Sequence, residues 1–123
     1  MKIQTAAELA KKKCVPCEGG VEPFWPQEAK RQLAKLDGWD LGTAGQRIRK
    51  SWSCKDFAAA MKFLNRIAEV AEREDHHPDM HLTSYRNVEV ELYTHAVGGL
   101  SENDFILAAK IDKLPVELKK KKK

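Results

Sequence analysis

The run from Phe57 to Glu74 leaves the rest of the chain little freedom. Phe57, Ala60, Met61, Leu64, Ile67, Ala68 and Ala71 recur at intervals of three and four, the spacing of one face of an α-helix. A stripe of about five turns must be covered by another layer. Ser53 reads as the N-cap, with Asp56 three residues on in position to reach back. At Pro78 the period drops to two. Met80, Leu82 and Ser84 alternate with His81, Thr83 and Tyr85. Past a short link at Arg86-Asn87, Val88, Val90, Leu92 and Thr94 alternate with Glu89, Glu91, Tyr93 and His95. The valine set is a core face and the glutamate set a wet one. His95 is therefore expected to end a strand on the side facing away from the core.

The remaining segments supply the other layers. Gln27 to Leu36 carries Ala29, Leu33 and Leu36 at helical spacing, and Asp37-Gly38 ends it, since glycine accepts the left-handed conformation that closes a helix. Trp39 to Leu41 and Gln46 to Trp52 read as a hairpin across the turn Gly42 to Gly45. Beyond Gly98-Gly99, Ser101 caps a last helix with Glu102 and Asp104 against its positive end. Phe105, Ala108, Ala109 and Ile111 form its buried side, and Pro115 stops it. The order α-β-β-α-β-β-α predicts an α+β fold, one four-stranded antiparallel sheet with helices packed on one face. Residues 1–22 read as an N-terminal arm, 23–115 as the single folded domain and 116–123 as a disordered lysine-rich tail. The Gln46 to Trp52 and Tyr85 to His95 strands are the candidate sheet edges for self-association.

Composition excludes several classes. The chain has 123 residues, 42% hydrophobic and 33% charged, which suits one ordinary globular domain. Its net charge is +4, and Lys119 to Lys123 contribute five positive charges, leaving about −1 elsewhere. Nucleic-acid binding by the folded part has no electrostatic support. No apolar run approaches the roughly 18 residues of a membrane span. Met1 to Lys13 lacks a signal-peptide core, so a cytoplasmic location is expected. Three cysteines are an odd number for a disulfide framework. Cys14-Val15-Pro16-Cys17 lacks the second ligand pair a zinc site needs, since the other cysteine is the isolated Cys54. No thioredoxin-like pattern surrounds it either. Small buried thiols in an ordered arm is the simplest reading.

Chemistry concentrates at Glu72 to Pro78 and His95. Adjacent histidines cannot both enter one core from regular structure. At a helix end before proline, however, the chain turns, and His76 and His77 can border one cleft. His95 on a neighbouring strand could bring a third imidazole, and Glu72 and Asp75 are near enough to fix ring tautomers. Spacing alone leaves three readings: a capped surface turn, general acid–base catalysis, or a three-histidine metal site with His81 as a fourth ligand.

The combination of Glu72, His76-His77-Pro78, Tyr85, His95 and Asp104 resembles the motif of the pterin-4a-carbinolamine dehydratases. In animals these are also known as dimerisation cofactors of a homeodomain transcription factor. Gly38-Trp39, Lys55-Asp56-Phe57, Thr94-His95 and Gly99-Leu100-Ser101-Glu102 are similar to that family as well. The likeness runs from about Leu36 to Ile111, and Cys14 to Gly20 resembles a leader of longer plant, protozoan and bacterial members. Met80 stands where many members carry an aromatic residue, and Ala96-Val97 replaces a more polar pair. The resemblance implies dehydration of a 4a-hydroxytetrahydropterin in tetrahydrobiopterin recycling, without metal or organic cofactor. It implies His76 and His95 as proton donors and His77 as the positioning residue. Glu72 and Asp75 would orient imidazole or bind ring nitrogens, and backbone groups from Tyr93 through Thr94 to Ala96 would contact the ring. It further implies a homodimer or homotetramer. The alternative it carries is a non-catalytic module that stabilises a transcription-factor dimer through its helical surface.

Overall fold

The computed structural model describes residues 3–15, 22–42 and 45–120. Four strands, β2 (Asp40–Leu41), β3 (Ile48–Ser53), β4 (Asp79–Thr83) and β5 (Asn87–Leu92), form one antiparallel sheet in the order β2-β3-β5-β4. Helices α2 (Pro26–Leu33), α3 (Phe57–Glu74) and α4 (Glu102–Asp112) follow the expected order. The expected α+β architecture is present. One face of the sheet carries Ile48, Trp52, Val88, Val90 and Leu92, all buried. Trp52 meets Phe63 of α3 edge-on at 4.9 Å and Trp39 at 5.9 Å. The other face is polar: Arg47 bridges Asp79 at 3.2 Å and Glu91 at 3.1 Å and lies 4.0 Å over the Tyr93 ring.

Several local expectations are corrected. The α3 N-cap is Asp56, whose carboxylate accepts the Ala59 N–H at 2.8 Å. Ser53 instead remains in β3, paired with Asn87. The buried face of α3 is Ala59, Ala60, Phe63, Ile67, Val70 and Ala71. Phe57 and Met61 are exposed, at 54% and 39%, because the contact with Trp52 selects the face that carries Phe63. The second hairpin turns earlier than expected, at Ser84 and Tyr85, both with positive φ, so Asn87 already belongs to β5. Helix α2 ends at Leu33, and Leu36 is buried beyond it. Of the two strands expected at the sheet edge, β5 does not lie there, since it runs between β3 and β4. β2 covers β3 only at Ile48 and Arg49, so within the sheet Lys50, Ser51, Trp52 and Ser53 pair with β5 alone and lie at one edge, with β4 at the other.

The arm has structure of its own. Helix α1 (Ala6–Lys11) begins at Thr5, whose hydroxyl accepts the Glu8 N–H while the Glu8 carboxylate accepts the Thr5 N–H, a reciprocal cap. Leu9 is fully buried and α1 packs on α4, which explains why α4 is buried on nearly every side. The short strand β1 (Pro23–Phe24) pairs with β6 (Leu100–Ser101) just before α4. Cys14 is buried, and its N–H donates to Glu74 at 2.8 Å; Cys17 lies outside the described residues. At the other end, Leu118 bridges to Cys54 and the Lys119 N–H donates to Ser53 O. Lys121 to Lys123 lie outside the described residues. Among the described residues, no helix is long and apolar enough to cross a membrane.

Candidate active site

The end of α3 sorts its two histidines. Asp75 adopts the left-handed conformation at φ 51°, and the His76 N–H donates to Ala71 O at 3.2 Å. This is the closing geometry usually made with glycine. The sharp turn sends consecutive side chains in different directions. His76 is 6% exposed. His77 is 57% exposed, its Nε2 3.5 Å from Glu72 Oε1.

His76 enters a buried polar network that α4 and the segment after β5 complete. Its Nε2 lies 2.7 Å from Asp104 Oδ1. Asp104 is fully buried, and its Oδ2 accepts the Thr94 hydroxyl at 2.8 Å and the Ser101 N–H at 2.9 Å. Since Thr94 gives its proton to Asp104, its oxygen accepts from the Ser101 hydroxyl at 2.7 Å. A buried carboxylate so arranged fixes which imidazole nitrogen faces it. No buried side-chain nitrogen or oxygen among the described residues lacks a partner.

His95 is not the last residue of a strand. β5 ends at Leu92, and Thr94 forms an isolated bridge to Gly99. His95 opens a single 3-10 turn, His95–Val97, closed by Gly98 at φ 66°. His95 and Ala96 are exposed. The first N–H groups of such a turn have no partner within it. The path from His76 to His95 thus runs through Asp104 and the Thr94 side chain.

The other candidates fall into two groups. Asp75 is exposed and makes no side-chain hydrogen bond or ion pair among the described residues. Glu72 is engaged with His77, and the Tyr93 ring with Arg47. The Thr94 side chain is committed to Asp104, so it supports the network. His81 is separate from the other histidines: it lies on β4, opposite Glu89 and away from the core. Met80 is 37% exposed on the same strand. Among the described residues, no group of three or more His, Cys, Asp or Glu side chains has the geometry to hold a metal ion.

Two members of this network, Asp104 and Ser101, were not among the candidate site residues of the sequence reading. Both were read as helix capping, which Asp104 does perform through the Ser101 N–H. The usable signal was the motif itself, whose last position is Asp104.

Comparison with known proteins bears on the whole chain. The family model for pterin 4 alpha carbinolamine dehydratase matches residues 22–114. An Arabidopsis thaliana protein named pterin-4-alpha-carbinolamine dehydratase 2, mitochondrial, is 48% identical over 121 residues. That match covers 94% of this chain and 65% of the relative, so the chain spans less than two thirds of that protein's length. A Nitrosomonas eutropha protein that carries the dehydratase name provisionally is 51% identical over 108 residues, 87% of this chain and 93% of its own. The crystal structure of a transcriptional coactivator/pterin dehydratase from Brucella melitensis superposes with a TM-score of 0.69. It is 34% identical, with 74% of this chain and 96% of that one covered. On fold, motif and relatives together, the chain belongs to the pterin 4 alpha carbinolamine dehydratase family.

Proposed function

We propose that the protein removes water from a 4a-hydroxytetrahydropterin to give the quinonoid dihydropterin, as a step of tetrahydrobiopterin recycling. The observation that carries this reading is the buried His76–Asp104 pair, joined through Thr94 to the turn that begins with His95. An imidazolium gives a proton to the 4a-hydroxyl, and a ring-nitrogen lone pair forms the C=N bond as the C–O bond breaks. Water leaves, and the ring sheds one proton to regenerate the acid. His76, held at Nε2 by Asp104, is one of the two acids. His95 serves the substrate configuration that presents the hydroxyl from the other side. His77, steadied by Glu72, positions the ring. The unpaired carboxylate of Asp75 is suited to the ring N–H groups, and backbone groups from Tyr93 to Ala96 supply further contacts. A positioned acid is worth about 10²–10⁴-fold in rate. The reading assigns no role to a metal, an organic cofactor or nucleic acid, and it puts the protein in the cytoplasm.

The test is dehydration of a 4a-hydroxytetrahydropterin by purified protein in the presence of chelator. The His76→Ala/His95→Ala double variant is expected to be inactive. Full activity in that variant refutes the assignment of roles, and activity that needs added zinc refutes the metal-free reading.

We infer self-association as well. Phe57 and Met61, exposed on α3, continue at the same spacing through the half-buried Leu64 and Ala68. This apolar stripe borders the core at Leu64 and opens outward at Phe57 and Met61, and such a patch can meet its own copy about a two-fold axis. The exposed edge of β4 offers a second contact. Met61→Glu is expected to lower the mass measured by light scattering. A coactivator role would use the same stripe, and it would survive loss of the histidines.

A further inference from the structure

Two consecutive N–H groups of the N-terminal arm go to two different helices. The Cys14 N–H donates to Glu74 Oε1 at 2.8 Å, and the Val15 N–H to Asn103 Oδ1 at 3.0 Å. The Asn103 amide answers with its own donor, which reaches Val15 O at 2.7 Å. Asn103 is 1% exposed, and this reciprocal pair satisfies its buried amide. The Cys14 thiol adds a contact to Asn103 O at 3.6 Å. The arm is itself anchored further back. Gln4 exchanges two hydrogen bonds with the buried Gln32 side chain, at 3.0 and 2.7 Å, and Lys110 of α4 donates to Ala10 O at 2.9 Å.

These contacts flank the His76–Asp104 pair on both sides. Glu74 is the last residue of α3, two before His76, and Asn103 immediately precedes Asp104 in the first turn of α4. Only the left-handed Asp75 separates Glu74 from His76, so the way the last helical residue is held sets the direction in which His76 leaves. The 2.7 Å contact from His76 Nε2 to Asp104 Oδ1 joins the two helix ends, and the Cys14–Val15 backbone joins the same two ends. A hydrogen bond weakens with distance and steeply with misalignment, so a small slip of either end weakens that contact.

We propose that Cys14–Val15 is a strap that aligns the active site, and that Glu74 and Asn103 are positioning residues acting through it on the His76–Asp104 pair. This rests on the dehydratase reading above. The strap lies ahead of residue 22, where the family match begins, so the support comes from outside the matched region. Each side chain suits its place by its donors and acceptors. Asn103 needs a donor and an acceptor at once, which neither aspartate nor leucine offers. Glu74 needs one acceptor for Cys14, which glutamine would also supply; its other oxygen lies 3.7 Å from Lys110 Nζ. Val15 is 49% exposed, so water can take over backbone groups freed by a shorter side chain. The loss then falls on alignment rather than on folding.

The test compares Glu74→Ala, Glu74→Gln and Asn103→Ala in the full chain, by dehydration kinetics and by 15N spectra of the His76 ring. The two alanine variants are each expected to cut kcat about tenfold, within the roughly 10²-fold that a misplacement of about 1 Å can cost. KM is expected to change little, because the loss is in alignment of the acid rather than in substrate binding. The His76 ring signals are expected to shift along with kcat. Glu74→Gln, which keeps the acceptor and loses the charge, is expected to recover both. Folded alanine variants with unmoved ring signals and unmoved kcat overturn the strap. So does a glutamine variant as impaired as Glu74→Ala, which assigns the effect to the Lys110 ion pair. The two Glu74 variants decide the question if Asn103→Ala does not fold. Should the unaltered protein turn over no 4a-hydroxytetrahydropterin, the dehydratase reading falls. The ring signals then decide the strap alone: a shift in Glu74→Ala that Glu74→Gln reverses upholds it, and unmoved signals overturn it.

Discussion

Asp104→Asn separates the charge of the buried pair from its shape. The carboxylate accepts from His76 on Oδ1 at 2.7 Å, and from the Thr94 hydroxyl and Ser101 N–H on Oδ2 at 2.8 and 2.9 Å. An amide of the same outline has one oxygen. The Ser101 N–H can only donate, so it claims that oxygen, and the new NH2 group faces His76 Nε2. Nε2 must then accept, which drives the imidazole proton to Nδ1 and removes the partner of an imidazolium. The loss expected is at least about 10²-fold in kcat, the low end for a positioned acid, with KM little changed. The stability cost is on the order of 1–3 kcal/mol for one disturbed buried bond, which a domain worth about 5–15 kcal/mol survives. Asp104→Ala is the poorer variant, because it strands three buried donors at about 1–3 kcal/mol each. The assay is pre-steady-state dehydration at neutral pH, with 15N spectra of the His76 ring to read the tautomer. Unchanged kcat with an unchanged tautomer would refute the reasoning.

Two further outcomes follow from single side chains. Asp75→Gly relieves a left-handed aspartate, so the melting temperature is expected to rise with a gain on the order of 1 kcal/mol, while dehydration slows; faster turnover would remove Asp75 from the site. Burial raises the Cys54 thiol pKa above its ordinary 9.0, with the Arg86 charge pulling the other way. The associated stability is fully present below pH 9.0 and is lost as pH rises through the raised value. With Cys14 and Cys17 replaced by serine, Cys54 is expected to resist alkylation in the folded protein and react at once in urea. Equal rates in both conditions would contradict its burial.

The period switch at Pro78 was readable because a helix and a strand repeat so differently that no alternative phase competes. The phase of α3 was not. Its sequence carries apolar residues over more than half its circumference, so Phe57, Met61, Leu64 and Ala68 make as good a stripe as Ala60, Phe63, Ile67 and Val70. Only the Trp52 contact, made across the fold, decides between them. The sheet edges were hidden for a related reason. Hairpins are local, but the central β3–β5 pairing joins residues some forty apart in sequence. The Thr5–Glu8 cap, by contrast, was present in plain sequence, and the charged composition around it masked it. Asp104 was masked differently, because its capping role is real and satisfied the local reading before its second partner, His76, could be seen.

That second partner changes what the adjacent histidines are. His76 and His77 are chemically identical and adjacent in the motif, yet only His76 is tied into the buried network. Removing the His76 ring leaves the fully buried Asp104 carboxylate without its nearest donor. Breaking one side of a buried pair costs about 3–5 kcal/mol, and the remaining Thr94 and Ser101 bonds temper that to its lower end. His77 holds only an exposed contact to Glu72 at 3.5 Å, worth about 0–1 kcal/mol at most. His76→Ala is therefore expected to lower both urea midpoint and turnover, and His77→Ala to lower turnover alone. His76→Gln, which keeps a donor for Asp104, should recover much of the midpoint and none of the turnover. If His76→Ala and His77→Ala shift the midpoint equally, the buried pair contributes nothing to the fold. His76 would then belong to the site only as an acid.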